Sequence, residues 1–251
     1  MKNVILSAKN VCKSFGDADN QVLKSVSAEI YEGDFTVIMG ASGAGKSTLL
    51  YSLSGMDGIT SGEVLFGGEK ISALSEKKQA KLRSEQFGFV FQQTHLVSNL
   101  TLFENVAVAG YVGKKSNISE VREKALELLR QMNVEEAKDR LPSQVSGGEA
   151  QRAAIARAMI NSPKIIFADE PTGALNKSNS AEVMRLLSGL NQNGQSILMV
   201  THDVRAAIHG NRILYMEDGK ILDELSLPPY SENSEREREQ EVNEWLSALR
   251  W

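Results

Sequence analysis

Cysteine is almost absent from this sequence. Among 251 residues only Cys12 is a cysteine, which excludes an intrachain disulfide and a Cys-based zinc cluster and suits a reducing compartment. Histidine is nearly as scarce, at three residues, and this argues against a His-rich metal site. Long hydrophobic runs are missing as well. A membrane span needs about 18 consecutive apolar residues, and stretches such as Ile165–Ala168 are far shorter. The opening Met1–Ala8 carries a short apolar run broken by Asn3 and Ser7, without a cleavage-site pattern, too short for a secretory signal. Work at a membrane would therefore need a spanning part from another chain. Excess positive charge is also lacking: 28 Lys+Arg against 32 Asp+Glu give a net charge of −4. Such a balance does not supply the basic surface that neutralises nucleic-acid phosphates.

What is present is ordinary globular material. Hydrophobic residues make up 41% of the chain and charged residues 24%, enough for a packed core in one large domain or a domain with a small lobe. The opening third reads as strands and turns: Val4–Leu6, Val22–Ile30 and Phe35–Met39, the last preceded by the turn signal Gly33-Asp34. A Gly-rich loop and a helix over Lys46–Leu53 follow. Gly62–Phe66 and Phe87–Phe91 read as strands around a polar helix, Glu76–Ser84. Asn99–Leu141 is helical by pattern, with Val121, Ala125, Leu128 and Leu129 at helical spacing. This stretch predicts a helical lobe inserted into an α/β core. The α/β pattern returns with a buried strand at Ile165–Ala168, a helix at Ala181–Leu190, a strand at Ser196–Val200 and a helix from Val204. Asp218-Gly219 turns a hairpin of Arg212–Met216 and Lys220–Asp223. Pro228-Pro229 ends the globular pattern.

Gly40-Ala41-Ser42-Gly43-Ala44-Gly45-Lys46-Ser47 matches the P-loop pattern in full, between a strand and a helix as the pattern requires. The glycines let backbone N–H groups wrap phosphates, and the helix N-terminus adds positive potential. Lys46 is expected to reach the β- and γ-phosphates and the Ser47 hydroxyl to ligate Mg²⁺. A second element is Ile165-Ile166-Phe167-Ala168-Asp169-Glu170, four apolar residues of a buried strand followed by two carboxylates. Asp169 is placed to hold the Mg²⁺ shell, and Glu170 to take a proton from an attacking water.

Ser146-Gly147-Gly148-Glu149-Ala150-Gln151-Arg152 resembles the signature motif of the ABC ATPases, followed by a helix at Ala153–Ile160. The family's other motifs stand around it in order. Gln92, in Phe89-Val90-Phe91-Gln92, resembles the Q-loop, and His202, in Val200-Thr201-His202-Asp203, the switch histidine. Gly173-Ala174-Leu175-Asn176 falls where the D-loop belongs, and Phe15 matches the aromatic that stacks on adenine. The resemblance covers about residues 4 to 225.

It implies an α/β fold with a P-loop NTPase core, an antiparallel β subdomain and an inserted α-helical subdomain at about 94–160. The cassette would span 1–227, with a charged linker and short amphipathic helix over 228–251. It further implies an ATPase using ATP and Mg²⁺, working as a head-to-tail homodimer. Phe15, Gly40, Ala41, Ser42, Gly43, Ala44, Gly45, Lys46, Ser47 and Thr48 of one subunit would hold the nucleotide, with Ser146, Gly147, Gly148 and Glu149 of the other. Ser47, Asp169 and Gln92 would hold the metal, and Glu170, His202 and Gln92 would serve hydrolysis. Two departures stand out: Asn176 where the D-loop usually has Asp, and Glu149 where many relatives have Gln.

Ile38-Met39-Gly40-Ala41-Ser42-Gly43, Phe91-Gln92-Gln93, Leu102-Phe103-Glu104-Asn105-Val106 and Asp169-Glu170-Pro171-Thr172-Gly173-Ala174-Leu175 resemble the branch of macrolide export, lipoprotein release and bacitracin-type peptide resistance. That implies a peripheral position on the cytoplasmic face of a membrane, beside an integral permease with a large extracytoplasmic domain. The alternative is a non-transporting ATPase that gates an extracytoplasmic partner, as in the cell-division relatives. An ABC ATPase acting on nucleic acid is disfavoured by the charge and by the lack of a second cassette or a long coiled-coil insertion. At the end of the chain, Glu235–Glu239 reads as a solvated charged face. Val242, Trp245, Leu246 and Leu249 mark an apolar stripe that could dock on this domain, a partner ATPase or a permease, with packing inside the ATPase dimer expected.

Overall fold

The computed structural model of the protein describes residues 2–16, 20–112 and 117–251. Met1 and residues 113–116, the latter within the stretch expected to be helical, lie outside the described residues. The chain sorts into two compact units, Met1–Ser75 with Leu190–Trp251, and Glu76–Gly189.

The first unit opens with two long antiparallel strands, β1 (Val4–Ser14) and β2 (Gln21–Tyr31). Both run well past their apolar cores because bulges at Asn10 and Ser25, each with positive φ, reset the side-chain alternation. Then come β3 (Phe35–Met39), α1 (Lys46–Leu53), β4 (Ser61–Phe66) and the short β5 (Glu69–Lys70). All five residues of β3 are buried, as a strand covered on both faces requires. The antiparallel sheet has the order β2-β1-β4-β5.

The second unit begins with α2 (Glu76–Gln86), a polar helix without a buried residue, which leads directly into β6 (Phe87–Phe91). The helical stretch expected from Asn99 to Leu141 is broken into α3 (Leu102–Val112) and α4 (Ile118–Gln131), with 3-10 turns at Glu135–Ala137 and Pro142–Gln144. Two local features account for the breaks. Asn133 takes a left-handed φ of 53° just past the end of α4, and Pro142 cannot continue a helix. The stripe Val121, Ala125, Leu128 and Leu129 is buried along α4, as its spacing predicts. Next come α5 (Gly147–Met159), β7 (Ile165–Asp169) and α6 (Lys177–Gln192). Helix α6 starts four residues before the expected Ala181. Its first turn is polar and carries no apolar signal, and the Asn176 side chain caps it by accepting the Asn179 N–H at 2.9 Å. Strands β6 and β7 pair in parallel, and Phe87 and Phe89 pack on Phe167 at 5.1 and 5.5 Å between ring centroids.

Back in the first unit, β8 (Ser196–Val200) is buried throughout. The helix expected from Val204 is only one turn, α7 (Val204–Ala207). It stops because Gly210 presses against β3, where an added Cβ would lie 2.5 Å from Val37 Cγ2. The hairpin of β9 (Arg212–Glu217) and β10 (Lys220–Ser226) turns at Asp218 and Gly219, both with positive φ. The strand order here is β10-β9-β3-β8, with β3 parallel to both β8 and β9.

The terminal segment departs from its sequence reading. Glu235–Glu239 forms the first turns of α8 (Glu235–Ala248), and Arg238, expected on a solvated face, is only 3% exposed. Arg238, Val242 and Leu246 follow at i, i+4 and i+8 and share one buried face. Leu249 lies past the helix end. Trp245 meets the Tyr215 ring edge-on at 6.3 Å and donates its indole N–H to Asp223 at 3.0 Å. The stripe thus docks on its own unit. Among the described residues, no helix is long and apolar enough to cross a membrane.

Candidate active site

The first half of the site grows from two adjacent parallel strands of the first unit. Strand β3 ends at Met39, and Gly40 follows against the Met216 carbonyl, where a Cβ would sit 2.0 Å from that oxygen. Only glycine lets the loop leave the strand there. Ala41, Ser42 and Gly43 form an exposed crest. The base of the loop is tied by the Gly219 N–H donating to Ala44 O at 3.1 Å. Gly45, at φ 99°, starts α1, and no side chain caps that helix N-terminus. Lys46 is 8% exposed; its Nζ arches back to donate to the carbonyls of Gly40 at 2.8 Å and Ala41 at 3.0 Å. Ser47 and Thr48 complete the first turn. The result is a loop of amides with a cation folded over it at a helix N-terminus, the form that takes a polyphosphate.

Strand β8 runs beside β3, with Val200 level with Ile38 and the Thr201 N–H donating to Ile38 O at 3.2 Å. His202 therefore emerges at the same edge as the P-loop and is exposed. Phe15, just past β1, is 43% exposed, with Lys13 Nζ 4.6 Å from its ring centroid. Lys13 is itself held by Asp57 and the Gly58 carbonyl, both at 2.7 Å.

The second half repeats the plan in the other unit. Phe91 at the end of β6 is level with Asp169 at the end of β7, so Gln92 and Glu170 leave neighbouring strand ends. Glu170 has a left-handed φ of 46°, a strained conformation for a side chain that is not glycine. Its carbonyl accepts the Gly173 N–H at 3.0 Å, closing a turn. Gly173 lies under Gln92, where a Cβ would meet Nε2 at 2.9 Å. In the same unit Ser146 caps α5 reciprocally with Glu149. The Ser146 hydroxyl and N–H donate to Glu149 Oε2 at 2.7 and 2.8 Å, and the Glu149 N–H donates to Ser146 Oγ at 3.2 Å. The Ser146 hydroxyl, then its N–H, hold the Glu149 carboxyl below the usual carboxylate range. Gly147 faces Leu175, and a Cβ on Gly148 would meet the Asn179 carboxamide at 2.5 Å.

Several supporting residues escaped the sequence reading. Gln151, 1% exposed on α5, donates to the Phe91 carbonyl at 2.9 Å. Arg157, further along α5, donates to the carbonyls of His95 and Thr94, each at 2.7 Å, and burial lowers its pKa. Asn105 accepts the Val97 N–H at 2.7 Å and donates to the carbonyls of Val97, Leu100 and Thr101. The one available signal was a long polar residue among the alanines of α5, which a helix buried on most sides tolerates only if it is bonded.

A P-loop on a parallel strand, with paired acids at a second parallel strand end, defines a nucleotide-binding enzyme of the P-loop class. The profile of the ABC transporter family matches residues 23–173. The chain is 40% identical over 253 positions to the macrolide export ATP-binding/permease protein MacB of Pasteurella multocida. That alignment covers all of this chain and 38% of the relative, so the chain spans well under half of that protein's length. Two dimeric structures of MJ0796, a bacterial ABC transporter cassette, superpose with a TM-score of 0.83 at 39% identity, covering 90% of this chain and 100% of theirs. One of the two is a post-hydrolysis state bound to ADP and Pi. The cbiO1 protein of Clostridium perfringens, part of the cbiONQ transporter complex, gives a TM-score of 0.81 at 29% identity over 96% of this chain and 93% of its own. The chain belongs to the ABC transporter family, and it is an ATPase cassette with that family's mixed α/β fold.

Two outcomes test the caps. A carboxylate depressed in the folded state stabilises it above its unfolded pKa of about 4.3 and ceases to do so as the pH falls through the folded value. Glu149→Ala is therefore expected to cost about 1 kcal/mol at neutral pH and progressively less below about pH 4. Urea titrations across that range measure it; a deficit independent of pH would remove the carboxylate charge from the account. Asn176→Asp keeps the cap of α6, so stability should hold within about 0.5 kcal/mol. A change in ATP turnover in that variant would then report the added charge alone.

Proposed function

We propose that the chain binds ATP with Mg²⁺ in a head-to-tail homodimer and hydrolyses it to drive a membrane permease. The observation that carries this reading is the shared plan of the two halves, each placing its polar residues at the carboxyl ends of adjacent parallel strands. In this reading the amides of Gly40–Ser47 wrap the phosphates, Lys46 turns from its loop carbonyls to the β- and γ-oxygens, and Phe15 stacks on the base. Ser47, Asp169 and Gln92 offer hard oxygen donors, the set that Mg²⁺ takes, and the ion would neutralise charge on the β- and γ-phosphates. Glu170, aimed by its left-handed backbone, takes the proton of the attacking water, and His202 holds the γ-phosphate. Ser146, Gly147 and Gly148 present the N-terminus of α5 to the nucleotide on the opposite subunit, with Glu149 behind them as the capping partner. Dimeric MJ0796 with ADP and Pi supports the assembly.

The likeness to MacB supports a membrane permease with a large extracytoplasmic domain and a position on the cytoplasmic face of the membrane. It favours antibiotic or antimicrobial-peptide export, peptide resistance or lipoprotein handling as the work performed, without contact to nucleic acid.

Lys46→Ala is expected to weaken ATP affinity itself, measured by titration calorimetry; unchanged affinity would remove Lys46 from the phosphate site. Glu170→Gln should still bind ATP, lock into an ATP-dependent dimer and hydrolyse about 10²–10⁴-fold more slowly. Wild-type turnover in this variant would displace Glu170 as the base. Captured with ATP from solubilised membranes, the same variant should bring down a permease with a large extracytoplasmic domain. Co-purification of a cell-division partner would favour the gating role, and recovery of ribosomes would overturn the membrane assignment.

A further inference from the structure

Arg238 of α8 is held more completely than any role described so far requires. Its Nε donates to the Ile208 carbonyl at 2.6 Å, Nη1 to the Pro228 carbonyl at 2.7 Å, and Nη2 to the Gly210 carbonyl. Ile208 and Gly210 directly follow α7, so the cation sits at the carbonyl end of that helix turn, where positive charge is favoured. The guanidinium carbon lies 5.6 Å from the Tyr230 ring centroid, and Tyr230 stacks on His209 at 4.1 Å. Burial raises the Tyr230 pKa, and its protonated hydroxyl donates to Glu235. The start of α8, Tyr230 and residues 208–210 thus form one packed block.

Residues 208–210 are the far part of a short bridge between two fixed points on β3. The near point is the Thr201 N–H on Ile38 O at 3.2 Å, and the far point is the Asn211 N–H on Phe35 O at 3.0 Å. Between them lie His202, Asp203 and α7. Asp203 donates its N–H to Thr201 Oγ1 at 3.0 Å, and its carboxylate accepts the Arg205 N–H at 2.9 Å. The Asp203 carbonyl accepts from the N–H groups of Ala206 and Ala207 at 3.1 and 3.0 Å. Every link from His202 to the carbonyls held by Arg238 is therefore a short hydrogen bond or a turn of helix. Without Arg238, those buried carbonyls lose a charged donor, and α7 loses its stop.

We propose that Arg238 is a positioning residue for hydrolysis: the C-terminal helix uses it to fix α7 and so sets the place of His202. The inference rests on the reading of His202 as a γ-phosphate ligand. The likeness to MJ0796 leaves a tenth of this chain unmatched, and the clamp is a device by which a C-terminal extension acts on the switch residue.

The chain has three histidines, so its imidazole NMR spectrum is simple. His209 lies in the clamp, His202 at the proposed site, and His95 in the other unit. In Arg238→Ala the His209 and His202 ring signals should both shift or broaden while His95 stays in place. The ATP turnover number should fall about 10–10²-fold with KM for ATP within about twofold. On a His202→Ala background the same substitution should change turnover little further. Arg238→Lys, which keeps the charge without the planar fork, should lie between the two, and it decides the matter if Arg238→Ala does not fold. A His202 signal that stays fixed while that of His209 moves would overturn the proposal, as would an equal loss of turnover on both backgrounds. Undiminished turnover in His202→Ala alone would instead defeat the role given to His202, leaving the NMR comparison to decide whether the clamp positions it.

Discussion

A parallel strand covered on both faces has no side chain to spare for chemistry, because every residue along it is committed to packing. Strands β3 and β8 are in this position throughout, and β7 is until its last residue. Reactive groups can stand only where such strands end, and the rest of the molecule follows from that constraint. Gly40 is the first residue past β3, Thr201 and His202 follow β8, Gln92 follows β6, and Glu170 follows β7. Pairing in register then brings these exits side by side within each unit, with Ile38 level with Val200 and Phe91 level with Asp169. Even the glycine that begins the phosphate loop is dictated by packing, since the Met216 carbonyl occupies the place of a side chain.

Irregular backbone around these exits needs partners, and the chain supplies them from single polar residues placed among apolar neighbours. Asn105 gathers residues 97–101, Gln151 and Arg157 hold residues 91–95, and Arg238 holds the carbonyls after α7. Each satisfies backbone groups that would otherwise be lost to water or left unpaired. The helices that present their N-termini toward a loop use a different device, the reciprocal cap. Thr101 with Glu104 and Ser146 with Glu149 are built alike, each acid accepting the N–H of the residue it is capped by.

These two kinds of support explain what could be read from the sequence. The buried strands, the P-loop between β3 and α1, and the Asp218-Gly219 hairpin were legible because periodicity or turn chemistry marks them directly. The apolar stripe of α4 was legible for the same reason. The early start of α6 was hidden, since a polar first turn capped by Asn176 looks like loop. The one-turn length of α7 was hidden too, because it depends on Gly210 meeting β3, a contact far away in sequence. Arg238 was misread as part of a solvated run because charge was taken as the signal. What mattered was its spacing of four from Val242 and eight from Leu246. The positions of Gln92, Glu170 and His202 at strand ends follow from recognisable motifs, whereas the residues that hold those loops follow only from the fold.

The three hydrogen bonds from α5 to residues 91–95 also define a path for mechanical load. Two of them come from a partly buried guanidinium and one from a carboxamide with almost no solvent contact. A pull applied to the backbone at Thr94 or His95 cannot be absorbed by the loop alone without breaking charge-assisted bonds worth about 1.5–3 kcal/mol each. It passes instead into the body of α5, whose first residue lies ten positions before Arg157 and is capped by Ser146. Gln92 and Ser146, 54 positions apart in sequence, are in this sense two ends of one lever, and a force at one end is felt as a displacement at the other.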